Sequence, residues 1–362
     1  MENPNMQTFC RRLAIGESEM KKNITIYNIA REAGVSPATV SRILTGATAV
    51  SPGKRERVME LIEKYQFRPN ALARALTENR SRLIGIVVAD SGNPYYISVF
   101  TAIENEAFKR GYATLMMNTH STPAFEIAML TKLRELQPDA IIVCGGRIDL
   151  EEPDPAFISL LSSAREATRI IAGSRSPMPG VPGIAIDHRA SMDLAMKYLI
   201  GLGHREIGFI YTGIPYYGTQ QRLARFREII QEYQLPFREE WLAHVPLYDA
   251  ASGRTGVKKL LQCEKPPSAV LGMNDMVSAG ILRELNCRGI RVPEDMSVIG
   301  FDDTFVSSIT SPELTSVSYD YQLFASMLLD AALHTGPIDE LPTDQLVPVF
   351  ITERNSCRRI SS

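Results

Sequence analysis

From residue 83 onward, short apolar runs alternate with helix-forming stretches, and this alternation restricts the fold more than any other feature of the chain. Residues 83–89 (LIGIVVA) are apolar without a break, as suits a central parallel strand covered on both faces. Runs at 113–117, 140–144 and 169–172 repeat the pattern, with helices predicted to about 110, over 125–136 and near 155–164. Strands alternating with helices of this length imply right-handed crossovers and a doubly wound α/β unit. Residues 173–183 (GSRSPMPGVPG), rich in Pro, Ser and Gly, read as a domain crossover. A second unit starts with a strand at 183–186 and continues with strands at 206–211, 243–245, 269–272 and 297–301. Its helices are predicted over 190–202, 220–234, 253–261 and 275–288. A strand at 315–319, a helix over 321–334 and a strand at 346–351 close the chain. The expected division is lobe 1 at about 83–178 plus 312–338, lobe 2 at about 183–308 plus 340–355, and a tail at 356–362. Ligand crevices in such sheets lie at the strand C-termini, so two facing lobes make a cleft.

Residues 23–68 have a different texture. A helix predicted over 26–33 follows Thr25, whose side-chain oxygen can accept from an orphan helix N–H. Gly34 comes next, where a left-handed residue closes a helix at least cost. A second helix opens on Ser36-Pro37, a favoured N-cap and then a residue with no N–H to leave unpaired. Thr39, Ser41, Arg42 and Thr45 lie on its polar side, and Val40, Ile43 and Leu44 on its apolar side. Two helices, a short turn with glycine and a small, polar second helix match a DNA-reading helix-turn-helix, although an ordinary helical hairpin shares the spacing. A third helix is predicted from Ser51-Pro52 to about Tyr65, with Val58, Leu61, Ile62 and Tyr65 on one buried stripe. Residues 69–82 then link head to core. The run ALARAL within them favours helix but is too short to hold one alone. It is either a linker with helical leanings or a segment that folds on DNA beside its dimer mate, with Leu76 as an apolar wedge.

Charge separates the two parts. Between Met20 and Arg80 stand 11 Lys and Arg against 5 Asp and Glu, leaving 28 against 36 for the rest. A basic head on an acidic body is the asymmetry expected when only the head meets phosphate. The five cysteines are scattered without a CxxC, which argues against a zinc site or a disulfide framework and fits a reducing cytoplasm. No apolar run approaches the length of a membrane span. The first 19 residues lack a secretion pattern, and residues 1–22 read as a disordered or mis-assigned extension, with Met20 a natural start. No catalytic constellation stands out, no metal or other cofactor is expected, and His120, His188, His204, His244 and His334 show no metal-ligand spacing.

With these features in place, the chain resembles the LacI/GalR family of bacterial transcription regulators from about Lys22 to Asn355. The resemblance is carried by TIYNIAREAGVSPATVSRIL, RPNALARAL, DSGNPYY, LGHREIGFI, NDMVSAG and VPEDMSVIGFDD, with head and hinge in the family's order and spacing. It implies a small all-α helix-turn-helix DNA-binding head and a hinge helix. Two α/β lobes with parallel sheets follow, like a periplasmic sugar-binding protein. It also implies a cytoplasmic, nucleoid-associated homodimer on pseudo-palindromic double-stranded operator DNA.

The resemblance then assigns roles by position. Pro37, Ala38 and Arg42 fall where the family reads base edges, and Arg42 suits a bidentate grip on guanine. Thr25, Ser36, Thr39 and Ser41 suit phosphate oxygens, with plain helix capping the rival for Thr25 and Ser36. Asn70, Ala73 and Leu76 match the minor-groove positions of the hinge. Tyr95, Tyr96, Arg222, Tyr248, Asn274 and Asp302 match the effector cleft, a set suited to a sugar or sugar derivative. Helix capping is the rival for Asn274 and Asp302, a surface position for Arg222, and core packing for the tyrosines. Tyr216, Gly218 and Thr219 are expected in a loop that helps set ligand choice. The reading is a repressor of a carbohydrate-utilisation operon. Its rivals are a global catabolite regulator that docks a phosphorylated carrier protein, and a cytoplasmic α/β enzyme with an accidental helical head. Without a terminal leucine heptad, a dimer is expected rather than a helix-tethered tetramer.

Overall fold

Among the described residues, three short helices build the head. The computed structural model describes residues 24–44, 50–67 and 80–360, and the chain divides after Arg80 into two compact units. Helix α1 (Ile26–Ala33) ends on Gly34 at φ 66°, and the Val35 N–H reaches back to the Ala30 carbonyl at 3.0 Å. Only a residue without Cβ takes that conformation at no cost, so the glycine sets the turn into α2 (Pro37–Leu44). Helix α3 (Pro52–Lys64) starts with Pro at its first position. Ile29, Ala30, Val40, Ile43, Val58 and Leu61 converge on one small core. Glu32 of α1 holds α3 from outside, accepting from Lys64 Nζ at 3.0 Å and Tyr65 Oη at 2.8 Å.

In the second unit, strands and helices alternate: β1 (Leu83–Val88), α4 (Pro94–Lys109), β2 (Ala113–Asn118), α5 (Pro123–Glu135), β3 (Ala140–Cys144), α6 (Pro155–Arg165), β4 (Arg169–Ala172) and β5 (Gly183–Ile186). Then come α7 (His188–Gly201), β6 (Ile207–Thr212), α8 (Tyr217–Glu232), β7 (Leu242–Val245), α9 (Ala250–Leu261), β8 (Ala269–Gly272), α10 (Asp275–Cys287) and β9 (Ser297–Phe301). The chain ends with α11 (Phe305–Ile309), β10 (Thr315–Tyr319), α12 (Tyr321–Ala332), β11 (Asp344–Val347) and β12 (Val349–Thr352).

Two six-stranded sheets result, in the orders β11-β5-β4-β3-β1-β2 and β12-β10-β9-β8-β6-β7. The unbroken apolar run of β1 is explained by its two covered faces. Ile84, Ile86 and Val88 pack under α4 and α12, while Val87 faces the layer of α5 and α6. Lobe 2 repeats the plan, with Phe209 and Ile299 turned to α7 and α8, and Ile210 and Val298 turned to α9 and α10.

The lobe boundaries differ from those expected. Residues 183–186 were expected to open lobe 2, yet β5 pairs with β4 and β11 in the first sheet. Gly and Pro density marks irregular backbone but does not say which sheet the next strand joins, and here 173–182 is a loop within lobe 1. Strand β10, expected with lobe 1, pairs with β9 in the second sheet, whereas α12 packs into the lobe 1 core as expected. The single closing strand is two strands split at Pro348, which cannot donate to a ladder. Of these, β11 lies in lobe 1, and β12 runs antiparallel beside β10, so lobe 2 is not wholly parallel. The chain thus crosses between lobes three times, at Asp187, Asp320 and Pro348. Residues 356–360, expected as a tail, belong to lobe 2. Ser356 is buried and bonds the Val298 carbonyl at 2.6 Å, and the Ile360 N–H bonds the Leu202 carbonyl at 2.9 Å. His204 lies beneath that segment, between Ser268, Ser297 and the Arg358 carbonyl.

Candidate functional site

The head presents a polar surface along α2. Thr25, Ser36, Ala38 and Arg42 are exposed, and Pro37, Thr39 and Ser41 are half-buried, while Val40 and Ile43 face the core. Ser36 caps α2, its Oγ accepting from the Thr39 N–H at 3.2 Å and lying 2.9 Å from the Thr39 hydroxyl. At α1 Thr25 and Asn28 form a reciprocal capping box. The Asn28 side chain accepts from the Thr25 N–H at 2.9 Å and from the Thr25 hydroxyl at 2.6 Å. Asn70, Ala73 and Leu76, with Thr45, lie outside the described residues. Tyr27 was not among the expected residues. It stands 71% exposed on α1, and only an accessibility argument finds it, because aromatics usually read as core.

The lobes enclose a cavity of about 280 Å³ at the C-terminal ends of their strands. All six residues expected in the cleft line it: Tyr95, Tyr96, Arg222, Tyr248, Asn274 and Asp302. Each is placed by a local device. The Asn93 side chain caps α4 by accepting from the Tyr95 N–H at 3.1 Å, which sets Tyr95 and Tyr96 on the first turn. Gly145, at φ 80°, leaves room for the Tyr96 hydroxyl, which a Cβ there would overlap. The two rings meet edge to face, with centroids 4.9 Å apart.

Arg222 is 7% exposed, not a surface residue. It donates from Nε to Ser191 Oγ at 3.2 Å and from Nη1 to the Met273 carbonyl at 3.0 Å, and lies 4.3 Å over the Phe301 ring. Asp302 follows β9 at φ 94°, and Asp303 at φ 49°. Two consecutive non-glycine residues with positive φ are strained, and they persist because the surroundings fix them. The Asp302 N–H bonds the Val317 carbonyl at 2.9 Å, and Tyr321 Oη donates to the Asp302 carbonyl at 2.8 Å. Burial pushes the Asp302 carboxyl up to about 6, against the opposing pull of Arg222. Asp303 has structural bonds instead, accepting from Ser307, Thr352 and Arg354. Neither aspartate is a helix cap, since Thr304 precedes α11.

Asn274 does cap its helix. Its Oδ1 accepts from the Val277 N–H at 2.8 Å, and its Nδ2 donates to the Tyr248 carbonyl at 3.2 Å. It therefore positions Tyr248, whose hydroxyl lies 2.9 Å from Thr219 Oγ1. Tyr216, Gly218 and Thr219 are not in a loop. Helix α8 begins three residues earlier than expected, so Tyr216 precedes its first turn and the other two lie within it. The rings of Tyr216 and Tyr248 stack at 6.2 Å and 20°.

Two further lining groups were not anticipated. Asp149, just after β3, has its carboxyl pushed up to about 6 by burial, with Ser174 opposing. His188 opens α7, and burial followed by the nearby Arg222 charge holds its imidazole well below its usual range. Nothing in the local sequence marks either one, because the groups that surround them are distant in sequence. Among the described residues no group of histidine, cysteine and carboxylate side chains has a metal-binding arrangement. Nor is any described helix long and apolar enough to cross a membrane.

A helix-turn-helix head joined to two lobes around a polar cavity is the plan of a ligand-controlled DNA-binding protein. Residues 25–70 match the model for bacterial regulatory proteins of the lacI family, and residues 196–357 match a periplasmic binding protein-like domain. Catabolite control protein A of Priestia megaterium is 30% identical over 88% of this chain and 95% of its own length. The transcriptional repressor PurR of Aliivibrio fischeri is 31% identical over 81% of this chain and 86% of its own. Among solved structures, a lac repressor dimer bound to operator and the anti-inducer ONPF superposes with a TM-score of 0.80 at 25% identity, covering 92% of this chain and 99% of that one. The chain belongs to the lacI family of bacterial regulatory proteins, and is a DNA-binding transcription regulator with an effector-binding core.

Proposed function

We propose that this regulator represses a carbohydrate-utilisation operon, and that a sugar or sugar derivative in the interlobe cavity controls its hold on the operator. The observation that carries the reading is the cavity lining, where carboxylates, an amide and an arginine lie among stacked tyrosines. Such groups hydrogen-bond paired hydroxyls while the ring faces cover the apolar side of a sugar. On the DNA side, Arg42 reads a base edge, Pro37 and Ala38 offer apolar contact, and Thr25, Ser36, Thr39 and Ser41 meet phosphate. Asn70, Ala73 and Leu76 engage the minor groove, with paired leucines of a homodimer wedged into a central step. The working compartment is the cytoplasm, and no reaction is catalysed.

Ligand control requires unequal affinity for two states of the lobes. Closure of the cleft changes the spacing at which lobe 1 of each protomer presents its hinge. A thermal-shift screen of sugars, sugar acids and phosphosugars against the full chain, followed by gel shift on the DNA upstream of its own gene, tests the reading. Stabilisation by one sugar class with a matching change in DNA retention supports it. Turnover of any ligand would favour the enzyme reading. The carrier-protein reading instead requires DNA binding to respond to a phosphorylated protein and to no sugar alone.

A further inference from the structure

The charges in the cavity do not balance. Four carboxylates line it, from Asp90, Asp149, Asp249 and Asp302, against one guanidinium, that of Arg222, and no lysine. Three of the four have partners. Asp90 accepts from the Gly92 N–H at 2.9 Å, Asp249 caps α9 through the Ser252 N–H at 2.8 Å, and Asp302 feels Arg222. Asp149 has only the Ser174 hydroxyl, and among the described residues no basic side chain pairs with it. The nearest arginines in sequence are engaged elsewhere. Arg147 pairs with Glu126 and Asp154, and Arg175 lies over Tyr217 and donates to the Glu151 carbonyl. His188 is held neutral and adds no charge.

What surrounds Asp149 is aromatic. Tyr95 and Tyr96 from lobe 1 and Tyr216 and Tyr248 from lobe 2 line the same cavity as Asp149, whose charge acts on the hydroxyl of each. A carboxylate without a cation, ringed by four tyrosines contributed by both lobes, is a receptor for an ammonium group. The carboxylate supplies the counter-charge, and the tyrosine hydroxyls supply further acceptors for the ammonium N–H groups. A neutral sugar can use the same rings and hydrogen-bond Asp149, but it leaves the net negative charge buried. A phosphate or carboxylate ligand worsens it, because it adds negative charge to a cavity that holds four carboxylates and one guanidinium.

We propose that the effector carries a basic nitrogen, and that Asp149 and the four tyrosines hold its ammonium while Arg222 and Asp302 hold its hydroxyl-bearing remainder. An amino sugar is the simplest such molecule. This deepens the reading of the cavity as the effector site and rests on it. Because tyrosines of both lobes take part, the ammonium also draws the lobes together.

The test is calorimetric titration of the full chain with matched triplets: 2-amino-2-deoxyhexoses, their parent hexoses and their N-acetyl forms, together with hexose 6-phosphates. The expected result is that an amine binds roughly tenfold or more tighter than its parent and its N-acetyl twin. Phosphates should bind worst. Asp149→Asn should weaken the amine far more than the neutral parent, and so abolish that preference. The apo variant should melt no lower than wild type, because a half-buried carboxylate with no cation beside it has been removed. Equal or tighter binding of a neutral or anionic twin overturns the proposal but leaves the polyol site standing. Equal loss of all ligands in Asp149→Asn, or a lower apo melting temperature, also overturns it. If no member of the panel binds, the sugar-like reading of the cavity fails as well.

Discussion

Arg222→Met is the most informative single change in the core, because its cost can be worked from the structure. The side chain is buried and makes two charge-assisted hydrogen bonds, at 3.2 and 3.0 Å, and a stack on Phe301 at 4.3 Å. Methionine of similar reach restores much of the packing and avoids the desolvation that burial imposes on a guanidinium. It restores neither hydrogen bond, and it leaves Asp302 without its opposite charge. Losing two hydrogen bonds from a charged group costs about 1.5–3 kcal/mol apiece. The methionine packing offsets part of that, and Asp302 limits the rest by taking a proton, since its carboxyl already titrates at about 6 beside the arginine. The expected net loss is roughly 3 kcal/mol. The assay is urea unfolding of the full chain, following the transition of the core, for Arg222→Met, Asp302→Asn and the double variant. Asparagine tolerates the positive φ at 302, so the second change adds little strain. The double variant should be more stable than the sum of the single changes by about 1–3 kcal/mol. Additive effects, or an Arg222→Met stability within about 0.5 kcal/mol of wild type, would refute the coupling of Arg222 to Asp302.

Three other outcomes are expected. Burial, followed by the nearby charge of Asp302, pushes the Asp275 carboxyl up to about 8, although Ser316 and Thr304 donate to it. A carboxyl raised in the folded state favours folding below its unfolded pKa, roughly 4, and loses that contribution as pH rises through about 8. The stability difference between Asp275→Asn and wild type should therefore shift towards the variant from pH 5 to pH 8, and a difference independent of pH would count against the raised carboxyl. Gly145→Ala places a methyl group where the Tyr96 hydroxyl lies, at φ 80°, so it should cost about 1–3 kcal/mol and weaken cavity ligands; calorimetry showing unchanged affinity would place Tyr96 outside the site. Arg42→Ala should weaken operator binding by about 1–3 kcal/mol and relax specificity at one base pair per half-site, measured by anisotropy on single-substituted duplexes; unchanged binding would remove Arg42 from base reading.

The sequence was most legible where a signal is local. The Thr25, Gly34 and Ser36-Pro37 punctuation located α1 and α2, and unbroken apolar runs located the parallel strands, because capping chemistry and two-sided burial act within a few residues. It was least legible where one run must choose between two sheets. The stretch GIAI at 183–186 is equally suited to either lobe, and only its pairing with β4 and β11 decides. Pro348 was visible as a break but not as a crossing between lobes. In the cavity, the six residues named from motif positions all line it, and Asn274 is also engaged in capping α10. Asp149 and His188 escaped notice because their surroundings come from residues distant in sequence, Ser174 for the first and Arg222 for the second. Tyr27 escaped for the opposite reason, as an aromatic residue left exposed.

The central claim is that occupancy of the cavity sets the affinity of the head for its operator. The direct measurement is the dissociation constant of the full chain for an operator duplex selected from random-sequence DNA, determined with and without a saturating cavity ligand. The account predicts enrichment of an inverted repeat and a change in that constant of about fivefold or more on adding ligand, in either direction. Binding to all duplexes alike, or the same constant with the cavity filled and empty, would contradict it.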